Sequence, residues 1–156
     1  MFAQIAISAA GIAVTLMIHA TMILSSVPVL KKFGSWSHQG RVLVRQIIVL
    51  TGLLLWIMLA HLLEVLVWAG LFIMVDALQT MEEALYFSLV CFTTLGFGEL
   101  TLEQDWRLLS AFAGANGFLL FSLSAAFLFE FFAKFQTRSS GSLRDELGSW
   151  QDPGEL

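Results

Sequence analysis

Three long apolar stretches, a charged fraction of only 13% and a mean hydropathy of +0.82 predict an all-α integral membrane protein. Soluble domains carry about 25% charged residues, and half that fraction leaves too few polar groups to coat a surface facing water. Hydrophobic residues make up 58% of the 156-residue chain. At about 20 residues per crossing, most of the length goes into spans, which leaves no room for a catalytic domain of ordinary size. The net charge of −4 excludes a basic nucleic-acid binder, because phosphate recognition requires clustered Lys and Arg. The single cysteine, Cys91, has no partner for an internal disulfide, and no CxxC or Cys/His cluster marks a metal.

The first stretch, residues 2–24, has no formally charged residue and is long enough to cross a hydrocarbon core of about 30 Å. It lacks the basic n-region of a signal peptide, so residues 1–25 read as a retained transmembrane helix. Ala6 with Ala10, and Ala9 with Ala13, have the small-residue spacing at which helices approach closely in lipid. The second stretch, 42–75, contains His61 and Glu64, and the third, 106–135, has Glu130 near its end. Between the first two lie Lys31, Lys32, Arg41 and Arg45 with no acid from Ser25 to Arg45, which assigns the 26–41 connector to the cytoplasm. Its Val29, Leu30, Phe33 and Trp36 suit a short interfacial helix limited by Pro28, Gly34 and Gly40. The face between the second and third spans is acidic and therefore external, while Lys134, Arg138 and Arg144 keep the tail inside. Three crossings put the N-terminus outside and the C-terminus in the cytoplasm of a multi-pass cell-membrane protein. Gly, Ser, Pro and acids dominate residues 136–156 and predict a disordered tail, apart from a turn of helix around Leu143 to Leu147.

The segment 79–105 is polar at both ends and apolar in its middle. Thr80 followed by Glu83 is a capping box, and Glu82 and Glu83 suit the positive end of a helix dipole. A helix from Met81 to Thr93 is about 20 Å long at about 1.5 Å per residue, too short for a crossing, so the chain must turn back. The run Thr94-Leu95-Gly96-Phe97-Gly98-Glu99 follows, with two glycines alternating with side chains. Irregular backbone at membrane depth persists only where protein buries it or water bathes it, because lipid cannot satisfy its carbonyls. An extended return from Thr94 to Glu99 spans about 16 Å at about 3.3 Å per residue. A helix going in and an extended segment coming out make a pore loop. Gly96 and Gly98 permit backbone angles at which successive carbonyls turn to one axis, so the carbonyls of Thr94, Leu95, Gly96 and Phe97, with the Thr94 hydroxyl, suit a dehydrated monovalent cation. One loop cannot encircle an ion, so a closed cage requires several copies around a symmetry axis.

This run resembles the potassium-channel selectivity filter, and the stretch 42–135 resembles the two-transmembrane pore module of that family in element order. The resemblance implies a homotetramer in the lipid bilayer, K+ held at Thr94, Leu95, Gly96 and Phe97, an outer helix at 42–75 and a pore-lining inner helix at 106–135. Leu95 stands where Val is usual, Phe97 where Tyr is usual and Glu99, at the outer mouth, where Asp is usual. Phe97 lacks the hydroxyl that commonly ties such a filter to the pore helix. The implied activity is passive, potassium-selective conduction, with K+ as the permeant ion, no cofactor, and no enzymatic step. A less selective monovalent cation channel and a nonconducting membrane scaffold or sensor subunit are the alternatives.

His61 and Glu64 lie one turn apart inside the outer helix, with Trp68 on the same face. Ionisable groups within a span are costly and mark function by default, although a hydrogen-bonded structural pair is the simpler account. Counted from the span ends, His61, Glu64 and Asn116 share a depth. The expectation is that Glu64 or His61 braces the pore module through Asn116 or Ser88, where some relatives place a carboxylate at the position held here by Val90. A His-x-x-Glu pair alone supplies too few ligands for an intramembrane metalloenzyme. His19 reads as a packing histidine. Gly117 is the candidate gating hinge, with close packing as the alternative. Glu130, repeated by symmetry, makes a ring of acids at the inner mouth. No span carries the repeated arginines of a voltage sensor, and 21 tail residues cannot form a ligand-sensing domain.

Overall fold

A computed structural model describes residues 1–34 and 42–148, and the regular structure among them is entirely helical: α1 (Phe2–Gly34), α2 (Val42–Met74), α3 (Met81–Phe92) and α4 (Arg107–Gly148). Three stretches, Phe2–Pro28, Ile47–Met74 and Arg107–Ala133, are long and apolar enough to cross a bilayer, as expected of a multi-pass membrane protein. The chain divides into two units, Met1–Ser122 and Leu123–Leu156, and the apolar core lies in the first. In the second, α4 continues, and the Phe131 and Phe132 rings meet edge to face at 6.1 Å.

α1 buries Gln4, Ser8, Gly11, Thr15, His19 and Ser26, positions that share one helical face. That face is polar. Ala6, Ala9, Ala10 and Ala13, the small-residue pairs expected to make the close approach, are exposed. Polar groups in a bilayer gain most by facing protein, and this preference outweighs the smoothness of an alanine surface. Gly11 makes the approach instead: a Cβ added there would sit 2.6 Å from Leu71 Cδ1 and 3.5 Å from the Trp68 ring.

α2 answers with Leu53, Ile57, Ala60, His61, Glu64, Val65, Trp68, Ala69 and Phe72, all buried along one face. It stops in a Schellman motif: Ala77 N–H donates to the Phe72 carbonyl at 3.0 Å, Asp76 N–H donates to the Ile73 carbonyl at 3.0 Å, and Asp76 takes φ 57°. α3 starts as the capping box predicts, with the Glu83 N–H donating to Thr80 Oγ1 at 3.2 Å. Its buried face, Ala84, Phe87, Ser88, Val90 and Phe92, joins the core through an edge-to-face contact of Phe87 with Phe72 at 5.1 Å. The first turn of α4 is capped from α1, because the Leu108 N–H donates to Gln4 Oε1 at 3.2 Å.

Two helices outrun their expected ends. α1 passes through Pro28 to Gly34, so residues 29–34 extend it where a separate interfacial helix was expected. Trp36, Gly40 and Arg41 lie outside the described residues. α4 continues to Gly148 across a stretch whose composition predicts disorder; adding residues to an existing helix costs far less than nucleating one, and Leu143, Arg144, Glu146 and Leu147 are good helix formers. Residues 149–156 lie outside the described set.

α4 meets α3 through its glycines. A Cβ at Gly117 would overlap the Phe92 carbonyl oxygen, and one at Gly114 would lie 3.2 Å from the Cys91 carbonyl oxygen. Gly117→Ala should therefore lower the unfolding midpoint in detergent micelles by the equivalent of about 1–3 kcal/mol, the cost typical of overpacking. Gly70→Ala, where nothing lies within 4 Å of the new methyl, should leave the midpoint unchanged or raised.

Candidate functional site

The loop after α3 is built on the last carbonyls of that helix. Thr93 N–H donates to the Leu89 carbonyl at 2.9 Å and Thr94 N–H to the Cys91 carbonyl at 2.9 Å. The Val90 carbonyl accepts from both Leu95 N–H, at 3.0 Å, and Gly96 N–H, at 3.3 Å. The Val90 main-chain oxygen thus folds the loop back onto α3. Positive φ falls on Thr94 (60°), Gly96 (57°) and Gly98 (82°), alternating with Leu95 and Phe97. The glycines tolerate this geometry freely, whereas Thr94 is strained in it, as residues at functional turns often are. Thr94 to Glu99 are all exposed, including the apolar Leu95 at 60% and Phe97 at 61%.

Glu99 is anchored. The Tyr86 hydroxyl, on α3, donates to Glu99 Oε2 at 2.8 Å. This ties the loop to its helix. Sequence reasoning passed over Tyr86; the usable signal was that the only tyrosine sits 13 residues before an acid at the loop exit.

A second constellation lies in the middle of the α2 span. Glu64, fully buried, accepts at Oε1 from or shares a proton with His19 Nδ1 at 2.8 Å, and at Oε2 with His61 Nδ1 at 2.9 Å. The two imidazoles lie 5.4 Å apart, centroid to centroid. His61 continues the contact to the loop base: its ring is 4.2 Å from Phe121 on α4 and 6.0 Å from Phe92, the last residue of α3, while Phe92 and Phe121 meet edge to face at 5.7 Å. His19 is thus a partner of Glu64 and not merely a packing group. Its signal in the sequence was the period of α1, which puts His19 on the same face as Gln4, Ser8 and Thr15.

Asn116 bonds elsewhere than expected. Its Nδ2 donates to Thr15 Oγ1 at 2.7 Å, and Thr15 in turn donates to the Gly11 carbonyl at 3.1 Å, so Asn116 fastens α4 to α1. Asn116 Oδ1 and Ser88 Oγ are buried with no hydrogen-bond partner. Gly117 lies against Phe92, the contact that close packing produces.

Residues 60–134 match a family model described as "Ion channel". That segment is similar to the ion-channel family. It takes in the second half of α2 with His61 and Glu64, the whole of α3, the 94–99 loop and α4 as far as Lys134. α1 falls outside the match, so the His19–Glu64 bond joins a helix beyond the matched segment to one that enters it. Comparison with curated proteins and with solved structures gives no match.

Two outcomes follow for the matched segment and its anchor. Glu64→Ala leaves two imidazoles buried without their acceptor and should cost about 3–5 kcal/mol in denaturant unfolding, while His19→Ala, which keeps the His61–Glu64 pair, should cost about 1–3 kcal/mol. The carboxylate of Glu99, bonded to the Tyr86 hydroxyl, raises the pKa of Tyr86 above its usual value of 10.0. A raised tyrosine pKa means that the bond is intact below about pH 10 and is lost as the pH rises through the higher folded value. Because Tyr86 is the sole tyrosine, phenolate absorbance reports it alone, and its midpoint should fall toward the ordinary value in Glu99→Gln.

Proposed function

We propose that the chain is a potassium-selective channel: a homotetramer in which four copies of Thr94 to Phe97 surround one axis and replace the water shell of K+ with main-chain carbonyls. The observation that carries this reading is the uncovered loop. Thr94 to Glu99 lie between two apolar spans and are exposed within a single chain, and lipid cannot satisfy such a backbone. Symmetric copies around a water-filled axis supply both the cover and the ring of oxygens. The alternation of positive φ at Thr94, Gly96 and Gly98 supports a backbone whose carbonyls share one side. The contacts of the Phe92 end of α3 with His61, near the middle of the α2 span, and with Gly117 on α4 support a helix that enters to mid-depth and turns back. The basic connector supports an external N-terminus and a cytoplasmic C-terminus.

In this reading Glu64 and His61 brace the base of the loop through Phe92, and Glu99 guards the outer mouth with Tyr86. Ions occupy adjacent sites and move down their gradient by mutual repulsion. The purified chain reconstituted in liposomes should pass K+, with reversal potentials in mixed gradients that track K+ and not Na+. Gly96→Ala and Gly98→Ala, which force a side chain onto φ 57° and 82°, should abolish that flux. Equal passage of Na+ and K+ would identify a less selective cation channel, and no passage of any ion by folded protein would identify a nonconducting subunit.

A further inference from the structure

The Glu64 carboxylate sits in the middle of a membrane span with 0% exposure, and the two side chains it bonds, His19 at 1% and His61 at 4%, are as deeply buried. A carboxylate at that depth costs several kcal/mol unless a proton or a metal ion compensates its charge. One nitrogen of each ring and one carboxylate oxygen, three metal-ligating atoms in all, lie within 4.8 Å of one another. Two imidazoles with one carboxylate are the donor set that suits Zn2+ and similar divalent transition ions. Both rings already turn the same nitrogen, Nδ1, toward the carboxylate, at 2.8 and 2.9 Å. Around a tetrahedral ion with metal–ligand bonds of about 2.0–2.2 Å, neighbouring ligand atoms stand roughly 3.4 Å apart, so each His–Glu contact has to open by about half an ångström while the three ligand atoms, within 4.8 Å of one another, gather round one ion.

We propose that His19, His61 and Glu64 form a divalent transition-metal site, of the Zn2+ class, that staples α1 to the pore module. His19 comes from α1 and the other two ligands from α2, so no single helix holds the site and the ion's binding energy becomes helix-docking energy. When the ion takes Nδ1 of each ring, the ring's N–H proton resides on Nε2, and because protons compete with the ion for the ligand atoms its affinity falls as the pH is lowered. The proposal does not rest on conduction, and its test reads metal and stability alone.

The full-length protein in detergent, stripped with a chelator, is equilibrated with Zn2+, desalted and assayed for metal by mass spectrometry. Wild type should retain about one equivalent per chain, as should His38→Ala, which removes the histidine outside the cluster. His19→Ala, His61→Ala and Glu64→Gln should each lose most of it. Zn2+ should raise the unfolding temperature of wild type and not that of Glu64→Gln, a nearly isosteric change that keeps a hydrogen-bonding side chain in place. Co2+ loaded into wild type should show the visible absorption of a tetrahedral site. The proposal is overturned if folded wild type retains no more Zn2+ than Glu64→Gln and its unfolding temperature does not respond, which would mean that shared protons alone close the cluster. Retention of a full equivalent by all three cluster variants would overturn it equally, by placing the ion elsewhere.

Discussion

The inability of lipid to hydrogen-bond sets the terms for this protein. In water a buried polar group competes with a good alternative, whereas in a bilayer the only alternative is another protein group. α1 shows the consequence most plainly: Gln4, Thr15 and His19 each reach a partner on another helix, the Leu108 amide, the Asn116 amide and the Glu64 carboxylate. Three polar contacts to α2 and α4 hold a helix whose outer surface is apolar. Even Trp56, on the exposed side of α2, donates its indole N–H to the Met22 carbonyl at 2.9 Å.

Glu64 is where these contacts converge. It couples α1 to α2 through His19 and, through His61, meets the aromatic group of Phe92 and Phe121 that receives the end of α3. The loop base is therefore held by close packing on one side, where Gly117 leaves no room beside the Phe92 carbonyl, and by aromatic edges on the other. A continuous chain of contacts therefore runs from His19 through Glu64 and His61 to Phe92, where the loop begins.

The loop and its helix were legible because local chemistry specifies them. Thr80, Glu82 and Glu83 announce a helix start, and the two glycines of 94–99 announce irregular backbone, each within a few residues of the structure they produce. The His61–Glu64 contact was legible too, since one helical turn separates the pair. The packing face of α1 was misread, because alanine spacing is a permissive signal and the polar stripe a compelling one. The ends of α1 and α4 were set too short, because composition marks where a helix is no longer favoured and not where an established one stops.

From residue order alone came the membrane class, three spans, the capped short helix and a loop resembling a cation filter, since each depends on patterns read over a dozen or two neighbouring residues. Only tertiary structure could pair His19 with Glu64 across 45 residues, Asn116 with Thr15 across 101, and Gln4 with Leu108 across 104. Those pairings depend on which faces of separate helices meet, and a helical period fixes a face without naming its neighbour.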